Sequence, residues 1–181
     1  MGGANYWVKR VFAEQANESS NLVRRGLVYH VSQMFTLSGS ASTAFVLNIG
    51  AASVELEFYD LMSDTTTVLA SLIEAPTSGS AVATVTPRNL NRTKTDSSTI
   101  TMYSTGSVTG GTFISSELFG SATKAGGALA QHKRFVLKTS TLYGMTFVNQ
   151  LNQATNVHVN LGWSEDEPEA TRLWDTIARQ D

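Results

Sequence analysis

Residues 26–37, Gly26-Leu27-Val28-Tyr29-His30-Val31-Ser32-Gln33-Met34-Phe35-Thr36-Leu37, set Leu27, Tyr29, Val31, Phe35 and Leu37 on one side of an extended chain and His30, Ser32 and Thr36 on the other. A period of two belongs to a half-buried strand, because successive side chains of a pleated backbone point to opposite faces. The same period returns nearby. Residues 43–50 place Phe45, Leu47 and Ile49 together, and residues 53–60 set Val54, Leu56 and Phe58 opposite Glu55 and Glu57. Short Gly, Ser and Ala turns separate the three runs, a spacing that predicts a meander of sequential neighbours.

Further along, residues 65–75 read either as a strand or as a short helix, since the apolar run is brief and β-branched Thr leads into it. Residues 80–87 and 98–106 read as strands around a long hairpin-type loop, and 110–120 as another strand. Residues 121–131 read as a flexible loop, and 134–151 as two strands around a Thr/Ser turn. The run 155–163 alternates Val157, Val159, Leu161 and Trp163 with Asn156, His158, Asn160 and Gly162. About eight strands at this spacing predict an all-β fold, an antiparallel sandwich.

The two ends break the pattern. Ala170, Leu173, Trp174, Ile177 and Ala178 recur at helical spacing behind Pro168, so residues 164–181 predict an acidic lead-in and a short amphipathic helix covering either its own sandwich or a neighbour's. Residues 1–25 form an N-terminal arm mixing Tyr6, Trp7, Val8, Val11 and Phe12 with polar residues, either a strand completing the sheet or an arm docking on a partner. The division is therefore an arm at 1–25, a sandwich domain at 26–163 and a tail at 164–181. Charge follows it: Lys9, Arg10, Arg24 and Arg25 outnumber Glu14 and Glu18 in the arm. Six acids outnumber Arg172 and Arg179 in the tail.

Composition narrows the function classes. Only 15% of the 181 residues are charged, the net charge is −2 and cysteine is absent, so a generally basic nucleic-acid binder, a disulfide framework and a thiolate metal site are all disfavoured. No apolar run approaches a membrane span, and the first ten residues lack the apolar core of a signal peptide. His30, His132 and His158 have no metal-ligand spacing. Glu55, Glu57, Asp60 and Asp64 read as a solvated face before a cation site. No Gly-x-Ser-x-Gly elbow or phosphate loop is present, so the expectation is no enzyme, no cofactor and no metal.

One stretch stands out on the neutral background. Residues 87–98, "PRNLNRTKTDSS", hold Arg88, Arg92 and Lys94 with Asn89 and Asn91 and no aromatic on which a base could stack. Arg forks and Asn amides suit carboxylates and backbone groups, so protein contact is the preferred reading, ahead of a merely solvated loop and then of nucleic acid. The expected interface residues are Arg88, Asn89, Asn91, Arg92 and Lys94 in this loop, Tyr6, Trp7, Lys9, Arg10 and Phe12 in the arm, and Leu173, Trp174 and Ile177 in the tail. Pairing of a basic arm with the acidic tail of the next copy would be head-to-tail, closing most simply as a trimer.

The Asn89-x-Asn91-Arg92 motif, the Leu137-Lys138-x-x-Thr141-x-Tyr143 motif and the closing run Asn156 to Trp163 resemble a family of small accessory virion proteins of tailed bacteriophages. The resemblance covers roughly residues 26–163 and implies a jelly-roll-like sandwich. It further implies a structural protein of the virion, assembled in the host cytoplasm, that decorates or cements the capsid or sits at the collar or tail. Its implied partners are the major capsid protein, other virion proteins and copies of itself. A carbohydrate-binding module for host attachment is the alternative from another class, with Trp7, Tyr29, Trp163 and Trp174 as stacking candidates.

Overall fold

A computed structural model describes residues 20–120, 127–131 and 134–166, and the side chains of these except at 57–59 and 127–131. The strands in chain order are β1 (Val28–Leu37), β2 (Ser42–Asn48), β3 (Val54–Ser63), β4 (Val68–Glu74), β5 (Thr77–Ser78), β6 (Ala81–Val85) and β7 (Arg88–Asn89). They continue as β8 (Thr101–Thr105), β9 (Val108–Thr109), β10 (Thr112–Phe119), β11 (Gly127–Gln131), β12 (Phe135–Leu137), β13 (Leu142–Asn149) and β14 (Thr155–Glu165).

One sheet runs β11-β3-β14-β1-β7, with β12 also on β3, and the other runs β10-β4-β13-β2-β8-β6. Every pairing is antiparallel, and the pairs nest: β1 with β14, β2 with β13, β3 with β11 and β12, β4 with β10. A ribbon in which first pairs with last, second with second-to-last, and so inward, wrapped so that members fall in two facing sheets, is a jelly roll. Residues 75–111 are an excursion between β4 and β10. It adds β8 and β6 beside β2 in one sheet, and crosses to place β7 beside β1 in the other.

The inward residues of both sheets form one core. Trp163, Phe147, Tyr143, Leu61, Leu161 and Val54 are essentially inaccessible, and burying side chains of this size stabilises by about 1.5–3 kcal/mol each. Phe35, Phe45 and Phe147 meet edge to face with centroids 5.4–5.8 Å apart, while Tyr29 stacks on Trp163 at 6.4 Å. The alternation of β1 and β14 is as the sequence predicts: Tyr29, Val31, Val157, Val159, Leu161 and Trp163 are buried.

Several expectations are corrected. β1, β2 and β3 are not a meander: β14 lies between β1 and β3, and β2 belongs to the other sheet. Alternation says which face a residue takes and nothing of which strand lies alongside. For the same reason β12 and β13 are not paired with each other. Residues 68–74 are a strand held between β13 and β10. Residues 127–131, read as a flexible loop, form β11 against β3. The period of β3 shifts at a bulge facing Gly162 and Trp163, so Val54 and Leu56 are buried before it and Leu61 and Ser63 after it.

Residues 20–25, assigned to an extended arm, are helical. Gly26 ends this turn at φ +80°, its N–H bonding the Val23 carbonyl and the Leu27 N–H the Leu22 carbonyl, both at 3.0 Å. This is the paired closure of a Schellman motif, in which glycine takes the left-handed position. Residues 1–19 and 167–181, including the predicted C-terminal helix, lie outside the described residues, as do His132 and Lys133.

Buried polar groups tie the loops at the two ends of the sandwich, Asn149 at one and Glu165 at the other. At one end the Asn149 amide donates to the Ser38 and Gln153 carbonyls at 3.1 and 2.7 Å, while its oxygen accepts from Thr66 Oγ1 and the Leu151 N–H, both at 3.1 Å. Nearby, Asp64 accepts from Thr155 Oγ1 and the Asn156 N–H, each at 2.8 Å, and from Asn156 Nδ2 at 2.7 Å. These bonds, led by that of Thr155, favour the ionised carboxylate and push its pKa from 3.8 down to about 2. A depressed carboxylate stabilises the fold above its unfolded pKa and loses that contribution as pH falls through the folded value. Thermal stability should therefore drop between about pH 4 and pH 2. Asp64→Asn should be less stable at neutral pH and show a shallower acid decline; parallel melting-temperature profiles of the two proteins would contradict this.

Candidate interaction surfaces

The cationic loop is built on the end of the helical turn. Asn89 is buried on β7, donating from Nδ2 to the Gly26 carbonyl at 2.8 Å and accepting from the Asn91 N–H at 2.8 Å. Asn91 donates to the Arg24 carbonyl at 2.8 Å and accepts from the Thr93 N–H and hydroxyl at 3.1 and 2.7 Å. A Cβ on Gly26 would lie 2.8 Å from Cγ of Lys94, so the Lys94 stem rests directly over the glycine. Of the five loop residues expected at an interface, then, Asn89 and Asn91 bond this chain's own backbone. Arg88, Arg92 and Lys94 point outward beside the exposed Arg24.

The far side of this loop is fastened by Glu165, which the sequence predicts in an acidic lead-in. Its carboxylate is 4% exposed and accepts from Trp163 Nε1 at 3.0 Å, the Thr99 N–H at 2.9 Å, Thr99 Oγ1 at 2.8 Å and Ser98 Oγ. Its own N–H bonds the Leu27 carbonyl at 2.8 Å. Burial, followed by this carboxylate, pushes the Tyr29 phenol up, and its hydroxyl donates to the Ser97 carbonyl at 3.4 Å. The cations are thus carried on a scaffold pinned at residues 89–91 and again at 97–99. Among the described residues no carboxylate lies within ion-pair distance of Arg24, Arg88, Arg92 or Lys94. The ion pairs found there are Arg134–Glu55 and Lys138–Glu74.

A second surface has no signature within any single strand. The outer face of the β10-β4-β13-β2-β8-β6 sheet carries three cross-strand rows. Leu118, Leu69, Val148 and Ser42 form the first, and Ser116, Ser71, Thr146, Ala44 and Thr105 the second. Phe113, Ile73, Gly144, Val46, Tyr103 and Thr84 form the third. None of the fifteen positions is charged. The neck of the excursion folds over part of the third row, where a Cβ on Gly144 would meet Val108 at 2.7 Å and Pro76 at 3.2 Å. An open groove of about 210 Å³ lies beside it, lined by Ala44, Ile73, Val108, Phe113, Thr146 and Val148 among others. Phe113 and Leu118 remain 67% and 61% exposed. The outer face of the other sheet is more polar, with Ser32 bonding His158 at 3.0 Å and Thr36 bonding Asn156 at 2.8 Å, although Met34 and Met62 flank His158 there and are exposed.

The other quoted motifs also work within the fold. Tyr143 accepts the Lys138 N–H at 2.9 Å and donates to Glu74 at 3.0 Å. Lys138 Nζ reaches the same carboxylate at 2.6 Å, which holds the Glu74 pKa down and the Lys138 pKa up. Tyr29 and Trp163, two of the four candidates for sugar stacking, are core residues at 4% and 0% exposure. Trp7 and Trp174 lie outside the described residues, as do Tyr6, Lys9, Arg10, Phe12, Leu173 and Ile177. Among the described residues no three His, Asp or Glu gather as a metal site, and no helix is long and apolar enough to cross a membrane.

Neither a protein-family profile nor a curated protein matches the chain. Among solved structures it is similar to the Yersinia pseudotuberculosis-derived mitogen, with 10% identity over 77% of this chain and 90% of that one, at a TM-score of 0.38. It is also similar to the decameric BFDV capsid protein, with 11% identity over 77% of this chain and 98% of that one, at 0.23. A third is the protein of infectious bursal virus derived T=1 particles, with 11% identity over 84% and 47%, at 0.22. Likenesses this slight leave the fold assignment to rest on strand order, and function to rest on the surfaces.

Proposed function

We propose that this chain is a non-enzymatic structural subunit of a tailed-phage virion that binds the assembled capsid and reinforces it. The setting comes from the sequence resemblance, and the observation that carries the binding role is the uncharged outer face of the β10-to-β6 sheet. A patch bearing two well-exposed large apolar residues amid Ser, Thr and Val is costly to leave in water and needs no ionic match to dock. A ligand that engages the assembled lattice and not its free subunits stabilises the lattice by linkage, with no chemical step.

Glutamate at both Phe113 and Leu118 tests this directly. Both side chains point to solvent, so the unfolding midpoint should stay close to that of the unaltered protein. Burying two charges in an apolar contact should weaken co-sedimentation with assembled capsids by at least about tenfold. Equal pelleting of the two proteins would overturn the assignment of this face. Recovery of the unaltered protein in a few copies at one vertex would place it at the collar or tail instead.

A further inference from the structure

We propose that the cationic rim formed by Arg88, Arg92 and Lys94, with Arg24 beside it, is the docking site for the acidic C-terminal segment, residues 167–181, of the same chain. The rim is distinct from the uncharged sheet face and does not depend on its role. Three observations carry this inference. First, the rim is rigidly built, with both Asn side chains of the loop bonded to residues 24–26, yet its four cations have no carboxylate partner among the described residues. Exposed like charges gathered on one scaffold repel one another unless an anion joins them.

Second, the tail leaves the fold next to the rim. Glu165 on β14 bonds Leu27, the neighbour of the glycine beneath Lys94. Arg88 on β7 is paired with His30 on β1, which is paired with Gly162 on β14. Two strand spacings amount to about 10 Å. Nine residues from Asp166 to Asp175 cover about 14 Å if helical and about 30 Å if extended, so the tail reaches the rim in either form. The tether makes the encounter intramolecular, and pairs that would be weak between separate molecules then suffice.

Third, the chemistry matches. Glu167, Glu169, Asp175 and Asp181 outnumber Arg172 and Arg179 in the segment, while Asp96 is the sole acid within residues 87–98. Leu90 is 38% exposed among the rim cations and offers a contact to the apolar residues Leu173, Trp174 and Ile177.

Carbodiimide cross-linking of the full chain reads this contact, because it joins an amine to a carboxylate only when they touch. The probe is an equimolar mixture of ¹⁵N-labelled and unlabelled protein, with peptides mapped by mass spectrometry. Lys94 should be linked to Glu167, Glu169 or Asp175 within single-isotope species. The yield should fall several-fold when salt is raised from about 0.05 M to about 0.5 M, and on changing Arg88 and Arg92 to Ser. Mixed-isotope links from Lys94 would assign the rim to a neighbour's tail and overturn the proposal. Links running from Lys9 instead would give the tail to the arm and overturn it equally. Absence of any Lys94 link while Lys138–Glu74 is linked as an internal control would show the rim empty of the tail.

Discussion

Replacing Glu165 by Ala is expected to cost this protein on the order of 3 kcal/mol of stability. The side chain is nearly inaccessible and serves four donors from three residues, Trp163 in the core and Ser98 and Thr99 in the excursion. Alanine removes every acceptor at once and leaves those donors facing a void, each with a desolvation cost of about 1–3 kcal/mol unless water enters. Glutamine keeps one oxygen and turns the other acceptor into a donor that faces a donor, so Glu165→Gln should lose roughly half as much. Urea unfolding of the three proteins gives the ranking. Hydrogen exchange should show faster opening at Thr99, whose N–H loses its acceptor, with less change at the core of β13. Equal midpoints for Glu165→Ala and the unaltered protein would mean that residues 97–99 are held by something else.

At the opposite end, Asn149→Ala is expected to cost on the order of 3 kcal/mol as well. The amide is 2% exposed, and its four bonds join the turn after β1, the turn after β3 and the turn after β13. Only the carboxamide offers two donors and two acceptors in one plane; Gln would carry it one methylene too far, and Asp in its place would present a carboxylate to the Ser38 and Gln153 carbonyls. Asn149 and Glu165 sit at opposite ends of the sandwich, share no partner, and should therefore add in the double variant to within about 0.5 kcal/mol. Loss of folding by Asn149→Ala under conditions in which Glu165→Ala folds would show that the turn network is needed for assembly of the sandwich rather than only for its stability.

Neither residue is conspicuous in the chain. Asn149 ends a strand as many Asn residues do, and Glu165 lies in the run Ser164-Glu165-Asp166-Glu167, where its neighbours suggest a solvated helix lead-in. What distinguishes them is the convergence of loops far apart in sequence, and such convergence has no local signature. The strand order escaped for the same reason. Alternation in β1 and β14 marks their inward faces correctly, but the nested pairing that defines the jelly roll joins residues such as Val28 and Ser164, more than a hundred positions apart. The bulge in β3 shifts the period midway, so a face extrapolated from Val54 is lost beyond it.

The cationic loop was visible as a charge anomaly, and the structure divides it by chemistry: amides turn inward to the backbone of residues 24–26, and cations turn outward. The motifs that carry the family resemblance fare likewise. Asn89, Asn91, Lys138, Tyr143, Asn156 and Trp163 each make a bond inside the chain, so the resemblance rests on residues that build the fold. The uncharged sheet face, in contrast, was written in the sequence as an absence. β2, β4 and β13 carry no charge on either face apart from Glu74 at the end of β4, but only the registers bring their outward residues into common rows.

The proposed role depends on which side of the jelly roll meets the capsid. The direct measurement is a cryo-electron microscopy reconstruction of the virion whose genome encodes this chain, at a resolution that shows side chains. Many copies are expected on the shell, each with Phe113, Leu118 and the groove beside Val108 covered by capsid protein. A reconstruction that places this face toward solvent, or that finds the chain absent from the particle, would contradict it.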